Sequence, residues 1–197
     1  MEEGYIKFDA DWLESVLPEN SAMHEINQYR QLLLKKNLIG VYPDGIGFGN
    51  ISVRINSKEF MITGSSTGHL PILSAQHFAM VHAWNFSTNR LRCTGGTVAS
   101  SESLTHAAVY ESAMDVKAVI HVHHLGLWSR LKGVVPTTSE AIPYGTPGMA
   151  AEVGRLFLDS NLSADRMIVM GGHKEGILCF GSNLSDATAV LLAHRIE

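Results

Sequence analysis

The sequence predicts an α/β domain in which a mainly antiparallel sheet is covered by helices, and three observations carry that prediction. Strand-like and helix-like runs are intermixed, without the regular strand-helix alternation of a parallel sheet. Apolar runs come in neighbouring pairs joined by short polar turns, Asn56-Ser57-Lys58 and Ser87-Thr88-Asn89, which is the mark of local hairpins. The 197 residues hold no linker, repeat or low-complexity tract, so residues 1–197 are read as a single domain large enough to bury one core.

The elements follow in order. Trp12, Leu13, Val16 and Leu17 fall at helical spacing and are stopped by Pro18. Ser21 suits a helix cap ahead of Met23, Ile26, Leu33 and Leu34, with an end near Leu38-Ile39-Gly40. Gly45 to Asn50 reads as a loop, since three alternating glycines are poor in either regular structure. Strands are expected at Ile51 to Ile55 and Glu59 to Thr63, followed by a second glycine and hydroxyl loop, Thr63 to Gly68. Phe78 to Phe86 and Arg90 to Cys93 form the next hairpin. Ser100-Ser101-Glu102 opens a helix whose apolar stripe is Leu104, Ala107, Ala108 and Val109-Tyr110. A strand ending at His123, a helix from Leu125 to Leu131, a loop from Pro136 to Pro147 and a helix from Met149 to Leu158 come next. Strands from Met167 to Met170 and Gly176 to Phe180 precede a last helix, capped by Ser185 and running to Glu197.

Composition excludes some classes of function. A formal charge of −4 with scattered Lys and Arg leaves no basic stripe for nucleic acid. No apolar run approaches the roughly 20 residues that cross a bilayer. Met1-Glu2-Glu3-Gly4 is acidic where a secretory leader is basic, so a cytoplasmic protein is expected, with Cys93 and Cys179 as free thiols. Hydrophobic residues at 45% against 17% charged ones suggest that some apolar surface lies in subunit contacts.

The chemistry concentrates in a few side chains. His121 and His123 alternate on the run Ala118-Val-Ile-His-Val-His123, and residues two apart on a strand project from one face. Two imidazoles so placed suit two ligands of one metal ion such as zinc, and His173, just past the Met167 strand, is the third candidate. Three protein ligands leave a position open to substrate, as catalytic zinc requires. His124 points the other way and is expected outside the ligand set. Glu102 suits a first-turn acid facing the helix dipole, and equally a general acid/base beside the metal. The two glycine loops with Ser100-Ser101 could cradle an anion or serve as ordinary turns.

Taken in order, the motifs are more specific than any one alone. Gly49-Asn50-Ile-Ser-Val-Arg54, Ile62-Thr-Gly-Ser-Ser-Thr-Gly68, Ser100-Ser-Glu-Ser-Leu-Thr-His106 with Tyr110, Val119-Ile-His-Val-His123, and Gly172-His173 to Gly181 occur in that sequence. From about residue 20 onward the chain resembles the class II aldolase/adducin family, which includes fuculose- and rhamnulose-phosphate aldolases, ribulose-phosphate 4-epimerase and a methylthioribulose-phosphate dehydratase. The resemblance implies a three-layer α/β/α fold and a homotetramer with sites at subunit interfaces. It implies zinc on His121, His123 and His173, with manganese or iron as alternatives, and Glu102 as acid/base. It implies a phosphate pocket of Asn50, Thr63, Gly64, Ser100 and Ser101. Zinc would chelate the carbonyl and neighbouring hydroxyl of the substrate and stabilise an enediolate.

The chain departs from the family pattern where Lys174-Glu175 stand between His173 and Gly176; the later family histidine is usually followed directly by glycine. Nor does a tyrosine-bearing tail follow the last helix, leaving Tyr110 and Tyr144 as candidates for a second acid/base or as packing residues. The expectation is a zinc-dependent lyase with aldolase-type cleavage of a small hydroxycarbonyl or sugar-phosphate substrate. The alternatives are a dehydratase or epimerase of the same family, or a non-catalytic adducin-like interaction domain. The epimerases carry Asp at the Glu102 position, which favours a lyase. A purely structural zinc is less suited, because such sites usually close with four ligands, often Cys.

Overall fold

The computed structural model describes residues 5–194. The acidic start at Met1–Gly4 and the end of the expected last helix at Glu197 lie outside the described residues. The strands are β1 (Asp9–Glu14), β2 (Gly40–Val41), β3 (Gly47–Phe48), β4 (Asn50–Arg54), β5 (Phe60–Thr63), β6 (Phe78–Asn85), β7 (Arg90–Gly95), β8 (Ala118–His123), β9 (Met167–Val169) and β10 (Gly176–Gly181). The helices are α1 (Ser21–Lys35), α2 (Ser103–Ser112), α3 (Leu125–Leu131), α4 (Pro147–Asp159), α5 (Leu162–Asp165) and α6 (Leu184–Leu192).

Eight strands form one sheet in the order β1-β7-β6-β5-β4-β8-β10-β9, and β2 pairs with β3 in a small separate ribbon. Every pairing in the large sheet is antiparallel except β1 with β7. Helices cover both faces, giving the three-layer α/β/α arrangement. On one face Phe60, Ile62, Val81, Val119, Leu178 and Phe180 pack with Leu104 of α2, Val153 of α4 and Leu162 of α5. On the other, Ile51, Met61, Ile120, Val122 and Ile177 pack with Ile26 and Leu33 of α1, Leu127 of α3 and Leu191 of α6. Alternation along β8 therefore puts Ala118, Ile120 and Val122 on the α1–α6 face. Val119, His121 and His123 go to the α2–α4 face, whose core holds Val119.

Most differences from the sequence expectations lie at element ends and have local causes. Asn20, not Ser21, caps α1, its side chain accepting from Met23 N at 3.2 Å. Asn183, not Ser185, caps α6 by accepting from Asp186 N at 2.8 Å. The larger correction is Trp12 to Leu17, where helical spacing suggested a helix. Asp9–Glu14 is instead a strand lying parallel on the free edge of β7, with the Trp12 indole donating to Gly95 O at 3.0 Å. A lone turn before Pro18 satisfies few backbone groups, whereas the β7 edge offers partners along six residues. The stripe expected on α2 is a whole buried cylinder, with residues 103 to 110 all buried. Cys93 and Cys179 are free and buried. Among the described residues no helix is long and apolar enough to cross a membrane.

Candidate metal centre and its cavity

Strand β8 lies between β4 and β10, so both its histidines sit deep in the sheet, with His121 opposite Asn50 on β4 and His123 opposite Gly176 on β10. His173 is held in the tight connection from β9 to β10, where its N–H bonds to Met170 O and its carbonyl accepts from Gly176 N. That turn folds His173 back over the sheet. The three histidines are only 1%, 3% and 4% exposed, and their candidate ligand nitrogens lie within 4.8 Å of one another. His121 Nε2 and His123 Nε2 are 3.0 Å apart, close to the roughly 3.3 Å expected of two nitrogens each about 2.0 Å from one tetrahedral ion.

The other ring nitrogens face acceptors. His121 Nδ1 is 3.2 Å from Ile177 O, His123 Nδ1 is 2.8 Å from the Tyr42 hydroxyl, and His173 Nδ1 is 3.4 Å from Glu102 Oε1. A carbonyl accepts only, so His121 carries its proton on Nδ1 and presents a lone pair at Nε2. Metal-ligating histidines commonly show this outward anchoring of the second nitrogen. Burial, together with the neighbouring His121 and His173, pushes His123 well below the ordinary histidine range, so it stays neutral and able to ligate.

Glu102 is the N-cap residue of α2 and is 1% exposed. Thr105 Oγ1 donates to its Oε2 at 2.7 Å, while Oε1 faces His173 Nδ1 at the ion-pair distance of 3.4 Å. Burial by itself favours the neutral acid, but His173, the nearby His121 and the Thr105 hydroxyl outweigh it and hold the carboxyl at about 2. Glu102 is thus a buried carboxylate with one oxygen aimed at the histidine cluster.

A cavity of about 260 Å³ opens over this cluster. The walls are completed by Tyr5, the 64–68 loop, Ser100, Ser101, Tyr144 and the 45–50 segment, which holds β3 and the start of β4 where the glycines suggested a loop throughout. The two loops meet through glycine: a Cβ on Gly68 would lie 2.1 Å from Gly40 O and 2.8 Å from Gly47 Cα. From behind, the buried guanidinium of Arg30 donates to Thr67 O at 2.7 Å, Gly68 O at 3.1 Å and Leu70 O, so a helix on the opposite face shapes the loop.

Of the residues singled out from the sequence, Asn50, Gly64, Ser100, Ser101, Glu102, His121, His123 and His173 meet at this cavity. Asn50 Oδ1 is buried there without a hydrogen-bond partner. Thr63 is not part of the lining; its hydroxyl turns back to accept from Ile51 N at 3.3 Å. Tyr110 packs below, its hydroxyl 2.8 Å from Ser52 Oγ, whereas the ring of Tyr144 lies 4.4 Å from that of His173 and nearly parallel to it. His124 caps α3, accepting from Leu127 N at 3.0 Å. Tyr42 and Glu175 were not anticipated. Tyr42 precedes the first motif, and Glu175 lies inside the last one, where the irregular spacing after His173 was the only hint.

Fold and site together define a three-layer α/β/α protein with a buried three-histidine cluster able to hold a metal ion under a polar cavity. Residues 44–195 match the family model for the Class II Aldolase and Adducin N-terminal domain, and the chain belongs to that family. A 3-oxo-tetronate 4-phosphate decarboxylase of Haemophilus influenzae is 28% identical over 163 residues, covering 72% of this chain and 70% of the relative. A solved L-fuculose 1-phosphate aldolase superposes with a TM-score of 0.67 at 19% identity, covering 90% of this chain and 83% of that one. A sugar-phosphate aldolase from Thermotoga maritima does so with a TM-score of 0.66 at 15% identity, covering 87% and 89%. At such identities these solved structures establish the fold.

Proposed function

We propose that this protein is a divalent-metal-dependent lyase that breaks a carbon–carbon bond in a small, phosphorylated hydroxycarbonyl substrate, with zinc as the first candidate metal and manganese or iron as alternatives. The observation that carries the reading is the convergence of three buried imidazoles on one point beside a buried, ionised carboxylate whose Oε1 lies 3.4 Å from His173 Nδ1. His121 Nε2 and His123 Nε2 lie 3.0 Å apart, a separation that one cation bound to both would also give, so the donor set fits a cation held by His121, His123 and His173. When bound, such an ion supplies Lewis-acid charge beside the carbonyl and hydroxyl oxygens of the substrate, favouring an enediolate after cleavage.

The remaining roles fall to the chain itself. Glu102, with Oε2 fixed by Thr105, offers Oε1 as the atom that takes a proton from a substrate hydroxyl and returns one to carbon. Asn50 Oδ1 accepts from a substrate hydroxyl. Ser100, Ser101 and the 64–68 loop bind the anionic end with hydroxyls and backbone N–H groups, helped by the N-terminal partial charge of α2. Tyr144, stacked on His173, closes one wall against water. The names of the relatives, an aldolase and a decarboxylase, describe two ways of breaking a carbon–carbon bond in a phosphate-bearing molecule.

The experiment is elemental analysis of the purified protein beside a His121→Ala/His123→Ala variant, followed by assay of ketose phosphates and oxo-acid phosphates. About one zinc per chain, absent from the variant, is expected. Glu102→Gln should keep the metal and lose about 10²- to 10⁴-fold in turnover, and unchanged turnover would remove it from the mechanism. No stoichiometric metal after zinc is supplied would favour an adducin-like interaction domain. The homotetramer belongs to the same proposal, and light scattering should give about four times the 21.5 kDa chain mass.

A further inference from the structure

Lys174-Glu175, the pair that interrupts the family spacing after His173, brings a carboxylate to the metal centre from outside the cavity. The Tyr42 hydroxyl lies 2.9 Å from Glu175 Oε2 and 2.8 Å from His123 Nδ1. A carboxylate only accepts, so Tyr42 donates its proton to Glu175, and its oxygen accepts from His123 Nδ1–H. This places the His123 proton on Nδ1 and leaves a lone pair on Nε2, which faces His121 Nε2 at 3.0 Å.

We propose that Tyr42 and Glu175 are positioning residues for His123: a three-member hydrogen-bonded relay, Glu175–Tyr42–His123, that sets the tautomer and ring orientation of one metal ligand. The inference rests on the reading of the three histidines as a metal centre. Both relay members are held by backbone. Tyr42 closes the ribbon of β2 and β3, its N–H bonding to Ile46 O at 2.8 Å and its carbonyl accepting from Gly45 N at 2.9 Å. Its ring lies 4.4 Å from that of Phe48, which in turn lies 5.5 Å from the His123 ring. Glu175 accepts from His124 N at 3.0 Å through its carbonyl, while its own φ is +71°, in the left-handed region that favours glycine. A side chain is therefore kept where glycine would sit more easily, and its carboxylate lies on the relay. A histidine anchored this way cannot rotate its nitrogen out of the ligand position, and the nearby negative charge strengthens it as a donor.

The test measures zinc affinity by competition with a chromophoric chelator, and the visible absorption of the cobalt(II)-loaded protein as a report on ligand geometry. Tyr42→Phe keeps the ring and removes the hydroxyl; Glu175→Gly suits the backbone and removes the acceptor; Glu175→Gln keeps an acceptor. Tyr42→Phe and Glu175→Gly should bind zinc about 10- to 100-fold more weakly and shift the cobalt spectrum. Glu175→Gln should stay close to the parent protein, and metal-free Glu175→Gly should melt no lower than it. Parental affinity and spectrum in both Tyr42→Phe and Glu175→Gly would overturn the relay. So would a loss of affinity in all three variants that merely tracks a loss of thermal stability. Failure of the parent protein itself to take up zinc or cobalt would instead overturn the metal centre, and the relay with it, before any variant is compared.

Discussion

Asn50 leaves its buried Oδ1 without a hydrogen-bond partner, and an isolated orphan of this kind ordinarily costs about 1 to 3 kcal/mol. Such a cost persists where the group serves something other than the fold. For Asn50 the consequence is testable, since removing an unsatisfied acceptor should hardly destabilise the chain. Asn50→Ala is expected to change the stability by less than about 1 kcal/mol while lowering kcat/KM about tenfold. A large drop in melting temperature with intact kinetics would reassign Asn50 to structure. Glu102 shows why residue identity alone was ambiguous. Its position at the start of α2 matches an ordinary first-turn acid, and only the approach of His173 distinguishes it. His121 and His123 were legible because a strand's two-residue period is a local property. His173 was legible as a candidate, but its approach depends on a turn that the sequence pattern alone does not draw.

At the scale of elements, the glycine loops depend on helices and strands remote in sequence. Arg30 belongs to α1 on the opposite side of the sheet, is 3% exposed, and is lowered to about 10 by burial, yet its Nη1 and Nη2 donate to carbonyls of the 67–70 segment. Arg30→Met keeps the bulk but strands the carbonyls of Gly68 and Leu70, while Thr67 O still accepts from Leu70 N, so a loss on the order of 2 kcal/mol and a higher KM are expected together. Gly68→Ala attacks the same loop from its other side: the added carbon meets backbone, which cannot swing aside as a side-chain end can. It should raise KM and cost about 2 kcal/mol. Chemical denaturation alongside steady-state kinetics checks both, and either variant with parental KM would detach the loop from substrate binding. The hairpins were readable from turn residues and alternating apolar runs. Asp9–Glu14 was not, because the open edge of β7 decides it.

For the whole molecule, buried ionisable groups tie stability to pH. Burial holds His106 at about 3 against an ordinary 6.5, with His121 lowering it further and Glu102 opposing. Between those values the unfolded chain binds a proton that the folded chain does not, so stability rises with pH and is lost on acidification from about 6.5 toward about 3. Glu102 acts in the same sense lower down, as pH falls from 4.5 toward about 2. Each such group contributes at most about 1.4 kcal/mol per pH unit. Melting temperature of the metal-free protein should therefore fall steeply below about pH 6.5, and His106→Gln, which retains an acceptor for Ser52, should flatten that slope. An unchanged slope would show that His106 is not a source of the acid sensitivity.

The sequence by itself determined the α/β class, the pairing of neighbouring strands, the single face shared by His121 and His123, and the ordered motifs that mark the family. These follow from period, turn chemistry and short-range order, which act within a few residues along the chain. The tertiary structure alone decided the strand identity of Asp9–Glu14, the turning of Thr63 toward Ile51, the grip of Arg30 on the 67–70 segment, and the meeting of Tyr42 and Glu175 at His123. In each of these a hydrogen-bonding group is satisfied by a partner from another segment of the chain, and the choice among such partners is settled only when the layers pack.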